Sequence, residues 1–150
     1  MKLAEALVMR ADLDKRIEQI KARLRENAWV QEGDQPSEDP EVLVRELSAL
    51  NDQLETLIVR INLTNAATAS EGVTITALLA QRDCLTRYIG SLRDFVSEAN
   101  STPKRAARGE IRILPTVNVA EYRKKVDALS RDLRELDLRI QQLNWTTDLM

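Results

Sequence analysis

Apolar residues recur along most of this chain at spacings of three and four, the period of a helix that buries one face. The first stripe is Leu3, Ala6, Leu13, Ile17, Ile20 and Leu24, in a segment predicted as a helix over 2–31. Arg10 and Asn27 stand on that stripe where apolar residues are expected. The second stripe, Leu43, Leu47, Leu50, Leu54, Leu57 and Ile61 followed by Thr64, predicts a helix over 40–67. A row of Val44, Asn51, Ile58 and Asn65 flanks it, so the predicted buried face is wider than a two-stranded seam. The third stripe, Ile75, Leu78, Arg82, Leu85, Ile89, Leu92, Val96 and Ala99, predicts a helix over 74–100, with Arg82 on an otherwise apolar row. The fourth keeps an unbroken heptad seam of Val119, Tyr122, Val126, Leu129, Leu133, Leu136, Ile140 and Leu143, predicting a helix over 118–144.

Punctuation residues agree with these boundaries. Gly33 suits the position just past a helix end, and Pro36 resists continuation. Asp39 and Pro40 suit an N-cap and a first helical turn. Thr74 is a plausible cap for the third helix. Asn118 and Glu121 form an N-x-x-E capping box, with Val117 placed to staple against Tyr122. Between the third and fourth helices the pattern changes. Thr102-Pro103-Lys104-Arg105-Ala106-Ala107-Arg108-Gly109 is basic, and Glu110-Ile111-Arg112-Ile113-Leu114-Pro115 alternates weakly, like one short strand or an ordered loop near 110–114. Such a strand needs a backbone partner. The same strand of another subunit or the 68–73 turn could supply it.

The expected fold is therefore all-α and single-domain over 1–150: an extended antiparallel four-helix bundle, or coiled-coil-like helical hairpins. Helices of ~26 residues would be about 40 Å long. The wide face of the second helix and the strong seam of the fourth offer more apolar surface than one thin bundle covers. Self-association is expected from this, as a dimer or a higher assembly, with a hexamer among the options.

Composition narrows the chemistry. The 150 residues include no histidine and one cysteine, Cys84. A Ser-His-Asp triad, a Cys-His pair, an imidazole ligand and an internal disulfide are thereby excluded. No cofactor is expected, and no catalytic constellation is present: Glu38 and Glu41 give one E-x-x-E across a helix start, without a following E-x-x-D. Cys84 lies off the main stripe beside Asp83, which reads as a buried or half-buried structural cysteine rather than a nucleophile. The net charge is −2. With no aromatic residue interleaved in the basic stretch, nucleic acid is not an expected partner. Mixed charges on the helices argue against a membrane surface, and the N-terminus does not read as a signal peptide.

Two sets of residues stand out. Arg60, Asn62, Thr64, Asn65, Arg82 and Asp83 could form a polar cluster where the second and third helices approach. It would either lock helix register, as a buried Asn does in a coiled coil, or bind a small polar ligand or a nucleotide. Arg10, Tyr122, Leu129, Leu136 and Trp145 are candidate oligomer contacts, and Trp29 could cover a bundle end. The acidic connection (Glu32, Asp34, Glu38, Asp39, Glu41) and the basic one (Lys104, Arg105, Arg108, Arg112) could also meet.

Several stretches together resemble a known group: Met1-Lys2-Leu3-Ala4-Glu5-Ala6-Leu7, Gln31-Glu32-Gly33, Arg60-Ile61-Asn62 with Thr64-Asn65, Arg82-Asp83, Thr116-Val117-Asn118-Val119, Arg134-Glu135-Leu136-Asp137 and Leu143-Asn144-Trp145-Thr146-Thr147. They are similar to the septicolysin-like group of small, uncharacterised bacterial helical proteins, over nearly the whole chain. The stretch Thr102 to Gly109 departs from that group's Arg-Tyr-Ser-Arg-like pattern. The resemblance implies a bacterial, cytoplasmic setting and, through its label, a pore-forming activity. It implies no catalytic residue. The expected function is an oligomeric structural or interaction scaffold without catalysis. A small-ligand or nucleotide-binding protein using the Arg/Asn/Asp cluster is the alternative.

Overall fold

The computed structural model describes residues 1–101 and 112–150. The fold is all-α. It is carried by α1 (Leu3–Glu26), α2 (Pro40–Ala67), α3 (Ile75–Asn100) and α4 (Val119–Thr146). Two-residue strands β1 (Ala69–Ser70) and β2 (Val73–Thr74) form an antiparallel hairpin between α2 and α3, with Ala69 paired to Thr74 and Ser70 to Val73. The hairpin turn places Glu71 at φ 53° and Gly72 at φ 79°. Positive φ at both central residues matches the twist of a tight two-residue hairpin, and glycine adopts it without a Cβ penalty.

Cap chemistry explains the helix starts. The Asp39 side chain accepts from the Glu41 amide at 2.9 Å. The Asn118 side chain accepts from the Ala120 and Glu121 amides at 3.1 and 3.3 Å. Each satisfies amides that the first helical turn leaves without a partner. Lys2 opens α1 differently: its own amide donates to Glu5 Oε2 at 2.6 Å.

The end of α1 corrects the sequence expectation. The helix stops at Glu26, not near Gln31. Asn27 ends it: its side-chain amide donates to the Arg23 carbonyl at 2.9 Å, and its Oδ1 accepts from the Glu38 amide at 2.9 Å. Asn27 therefore sits on the apolar stripe because it ties the helix end to the returning chain. Gly33 does not cap α1. It takes φ +91° in a turn closed by the Asp34 amide on the Gln31 carbonyl. Of the segment near 110–114, expected as one short strand or an ordered loop, residues 112–114 have no regular secondary structure and residues 110–111 lie outside those described. The sheet pairing occurs at 69–74, where a two-residue turn lets neighbouring chain pair with itself.

By contacts the chain divides into two compact units, Met1–Ile75 with Gln142–Met150, and Thr76–Gln141. In the first, α1 and α2 run antiparallel. Leu3, Ala6, Leu13 and Ile20 of α1 and Leu43, Leu50, Leu57 and Ile61 of α2 are buried. The tail after α4 joins this unit as an extended strip. The Leu3 amide donates to the Thr147 carbonyl and the Leu149 amide to the Met1 carbonyl, each at 2.9 Å, flanking a bridge between Lys2 and Asp148. In the second unit α3 and α4 run antiparallel. Arg93 donates to Ser130 Oγ at 3.1 Å, and Phe95 meets Tyr122 edge-on with ring centres 5.5 Å apart. Leu78, Ile89, Val126, Leu136 and Ile140 are buried. Every position of the predicted α4 seam is buried or half-buried.

Candidate functional site

Thr64 is the most thoroughly buried polar residue described, with no exposed surface. It occupies a core position of α2 where the preceding turns carry Leu57 and Ile61. A hydroxyl there is tolerated only with partners, since an unpaired buried polar group costs about 1–3 kcal/mol. Its Oγ donates to the Arg60 carbonyl at 2.8 Å and accepts from the Met150 amide at 3.0 Å. Arg60 Nε donates to the Met150 main-chain oxygen at 2.7 Å. One turn of α2 thus holds both main-chain groups of Met150.

Lys2 holds the same strip from the α1 side. Its Nζ lies 2.8 Å from Asp148 Oδ1 and donates to the Thr146 carbonyl at 3.2 Å. The hydrogen bond from Lys2, reinforced by its charge, lowers the Asp148 carboxyl below its usual value. The predicted polar cluster is therefore partly resolved into a clasp. Arg60 and Thr64 grip the tail, Asn62 is exposed, and Asn65 is half-buried. Arg82 and Asp83 belong to the second unit, where Arg82 Nε and a terminal nitrogen donate to Asp83 Oδ1 at 3.1 and 2.9 Å.

A second polar knot lies at the other end of the α1–α2 pair. Arg23 binds the Glu38 carboxylate through two nitrogens, Nε at 2.9 Å and a terminal nitrogen, and reaches Glu46 at 3.9 Å. The side-chain hydrogen bond is the main reason that Glu38 is lowered and Arg23 raised from their usual values. From its sequence position Glu38 is expected to meet the basic connection; it meets Arg23. Of that connection, Lys104, Arg105 and Arg108 lie outside the described residues, and Arg112 is exposed.

The remaining candidates sort by exposure. Arg10 is exposed, Trp145 is 62% exposed, and Tyr122 and Leu129 are half-buried. Leu136 is buried within the chain and has the least surface to offer a partner. Trp29 is 90% exposed, so it covers no helix end among the described residues. Cys84 is exposed, which corrects the expectation of a buried or half-buried cysteine. Its position off the α3 stripe turns it outward. Among the described residues no group of three or more acidic or cysteine side chains could hold a metal ion, and no helix is long and apolar enough to cross a membrane.

A groove of about 720 Å³ runs between α1 and α2, with Leu13 and Leu57 at its floor and Met1, Val8 and Met9 on its rim. Val8 is 68% and Met9 49% exposed. Each wall carries one acid and one base: Asp12 and Arg16 on α1, Asp52 and Arg60 on α2. Among the described residues Asp12, Arg16 and Asp52 form no ion pair within the chain. The signal was present in the sequence as Val8 and Met9, apolar but off the Leu3–Leu13–Ile20 stripe. That position gives α1 a second apolar flank near its start.

Across its whole length the chain is similar to a functionally unknown conserved protein from Corynebacterium diphtheriae, known from its crystal structure. The two share 39% identity over 100% of this chain and 99% of the other, with a TM-score of 0.92. Comparison with curated proteins finds no match. A family model spans residues 10–149, from the second turn of α1 to the clasped tail, and the chain belongs to that family, the family of unknown function DUF6847.

Proposed function

We propose that this chain is a non-catalytic interaction protein that self-associates through the faces of its helices and serves as a helical scaffold in the bacterial cytoplasm. The observation that carries this reading is the α1–α2 groove. It has an apolar floor, an exposed Val8–Met9 rim, and walls on which Asp12, Arg16 and Asp52 form no ion pair among the described residues. Scattered exposed apolar side chains are ordinary, whereas a grouped apolar surface framed by polar residues marks an interaction site. The flanking row of α2 adds support: Val44 and Ile58 remain 50% and 36% exposed, two heptads apart, with Asn51 between them. An apolar row interrupted by one Asn is the pattern that sets partner number in helix assemblies.

The clasp argues against the ligand-binding alternative at Arg60 and Thr64. Main-chain atoms of the protein's own tail already occupy those side chains, as a register lock requires. Sedimentation velocity over a wide concentration range tests the scaffold reading. The expected result is a mass at least twice the 17.0 kDa of one chain. A monomer at every concentration would overturn it.

A further inference from the structure

We infer that the α2 face formed by Val44, Leu47, Asn51, Leu54 and Ile58 pairs with the same face of a second copy of this chain, the two α2 helices running parallel and in register, with Asn51 opposite Asn51. The inference rests on the self-association proposed above and names the helix face, the number of chains and their direction.

The spacing comes first. Along α2 the five residues fall at intervals of three and four, the a and d positions of a heptad repeat. Val44, Asn51 and Ile58 take a, and Leu47 and Leu54 take d. Leu43, Leu50 and Leu57 form a neighbouring column that is already buried within the chain. The a and d columns are not consumed in this way. Val44 and Ile58 are 50% and 36% exposed, Asn51 is exposed, and Leu47 and Leu54 are half-buried. None of the five lines the groove between α1 and α2. No charged residue of α2 stands at an a or d position. The helix therefore carries a second uncharged seam beside its buried leucine column.

The residue types then name the occupant. β-Branched Val and Ile at a with Leu at d is the combination that favours two strands running parallel. Asn51 fixes the direction. In a parallel pair each a residue meets its own counterpart, so Asn51 meets Asn51, and two carboxamides supply each other with donor and acceptor. In an antiparallel pair a residues meet d residues, and every heptad register sets Asn51 against Leu47, Leu54 or Ile61. Its carboxamide would then lose water against an alkyl side chain without gaining a partner. Among the described residues Asn51 forms no side-chain hydrogen bond, so its carboxamide is available to a second copy.

The open part of the seam, from Val44 to Ile58, is about 21 Å long. So short a repeat would not hold two free peptides together, because each would first have to become helical. Here α2 is already formed by its packing within the chain, so association has only side chains to order.

The test is sedimentation equilibrium on the full chain, with disulfide trapping to read direction. Val44 and Ile58 are exposed, and circular dichroism checks that the helices persist in each variant. The wild type is expected to form a two-chain species. Ile58→Glu sets two carboxylates opposite each other and is expected to weaken association at least about a hundredfold. For trapping, Cys84→Ser removes the natural thiol, and Val44→Cys, Ile58→Cys or Val59→Cys adds one. Val59 is 50% exposed and off the seam. Mild oxidation is expected to link two chains in Val44→Cys and in Ile58→Cys, and not in Val59→Cys. Linkage at both seam positions supports the parallel pairing. Association lost in Ile58→Glu without linkage at either seam position overturns the direction, as does linkage in Val59→Cys at the same rate. Association unchanged in Ile58→Glu overturns the seam as the interface while leaving self-association standing. A wild-type chain that never associates overturns both.

Discussion

The two units are built from the same helix chemistry but are held differently. The Met1–Ile75 unit, with the tail, has a polar knot at each end of its helix pair: Asn27 with Arg23 and Glu38 at one end, Thr64 with Arg60, Lys2 and the 146–150 strip at the other. The Thr76–Gln141 unit relies on the unbroken heptad seam of α4, the Phe95–Tyr122 edge contact and the Arg93–Ser130 hydrogen bond. A seam of Leu, Ile and Val specifies that two helices meet but only weakly specifies where along their length. Buried Asn and Thr add that specification, because any other register strands their polar atoms. The first unit thus fixes its register at its ends, and the second fixes it through side-chain shape along the middle.

That contrast can be broken in order of expected effect. Apolar floors should matter equally in both units: Ile61→Ala and Ile89→Ala, each at 2% exposure, are expected to lose about 2–5 kcal/mol in urea unfolding followed by circular dichroism. Near-zero loss at either position would remove that floor from the comparison. Asn27→Ala comes next, at about 1–3 kcal/mol, because it leaves the Glu38 amide without its acceptor as well as losing its own bond to Arg23. Hydrogen exchange should rise at the Glu38 amide in this variant, and an unchanged rate would contradict the knot. Thr64→Val keeps the shape and loses the hydroxyl. The expected loss is about 1 kcal/mol, with faster exchange of the Met150 amide. In the second unit the polar counterpart is the α4 cap: Asn118→Ala is expected to lose about 1 kcal/mol, read as fraying of the first turn of α4 alone.

The smallest effect concerns pH. Glu38 is lowered below its ordinary value of 4.5, chiefly by the hydrogen bond from Arg23. A carboxyl lowered by folding stabilises the fold fully above its unfolded value. That contribution is lost as pH falls through the lower folded value. The melting temperature should therefore decline on acidification below about 4.5 more in the wild type than in Glu38→Gln. Because the pair is solvent-exposed, added salt should shrink the difference. Parallel acid titration curves for the two proteins would exclude a role for this pair.

Much of the fold was readable from local pattern. The ranges of α2, α3 and α4, the Asp39 and Asn118 caps and the α4 seam all follow from spacing and cap chemistry, which act within a few residues of sequence. The miss at α1 has a physical reason. Its helix end depends on Asn27 meeting the amide of Glu38, eleven residues away, and no window of helical period contains that partner. The hairpin at 69–74 was read as a turn because four residues of strand are too few to show alternation. The candidate cluster was readable as residue types and not as partners. Thr64 announced itself as a polar residue on an apolar stripe, but its acceptor role toward Met150 spans 86 positions.

By itself the sequence determined four helices, their apolar faces, and the absence of imidazole chemistry and of an internal disulfide, because periodicity and composition are properties of the chain alone. Only the tertiary structure decided which polar residues on those faces are occupied. It turned Asn27 and Thr64 into locks, left Asp12, Arg16 and Asp52 without an ion pair among the described residues, and opened a groove beside Val8 and Met9. The reason is that a polar group's role is set by whatever lies within about 3 Å of it. In a helical protein that neighbour usually comes from a distant part of the chain.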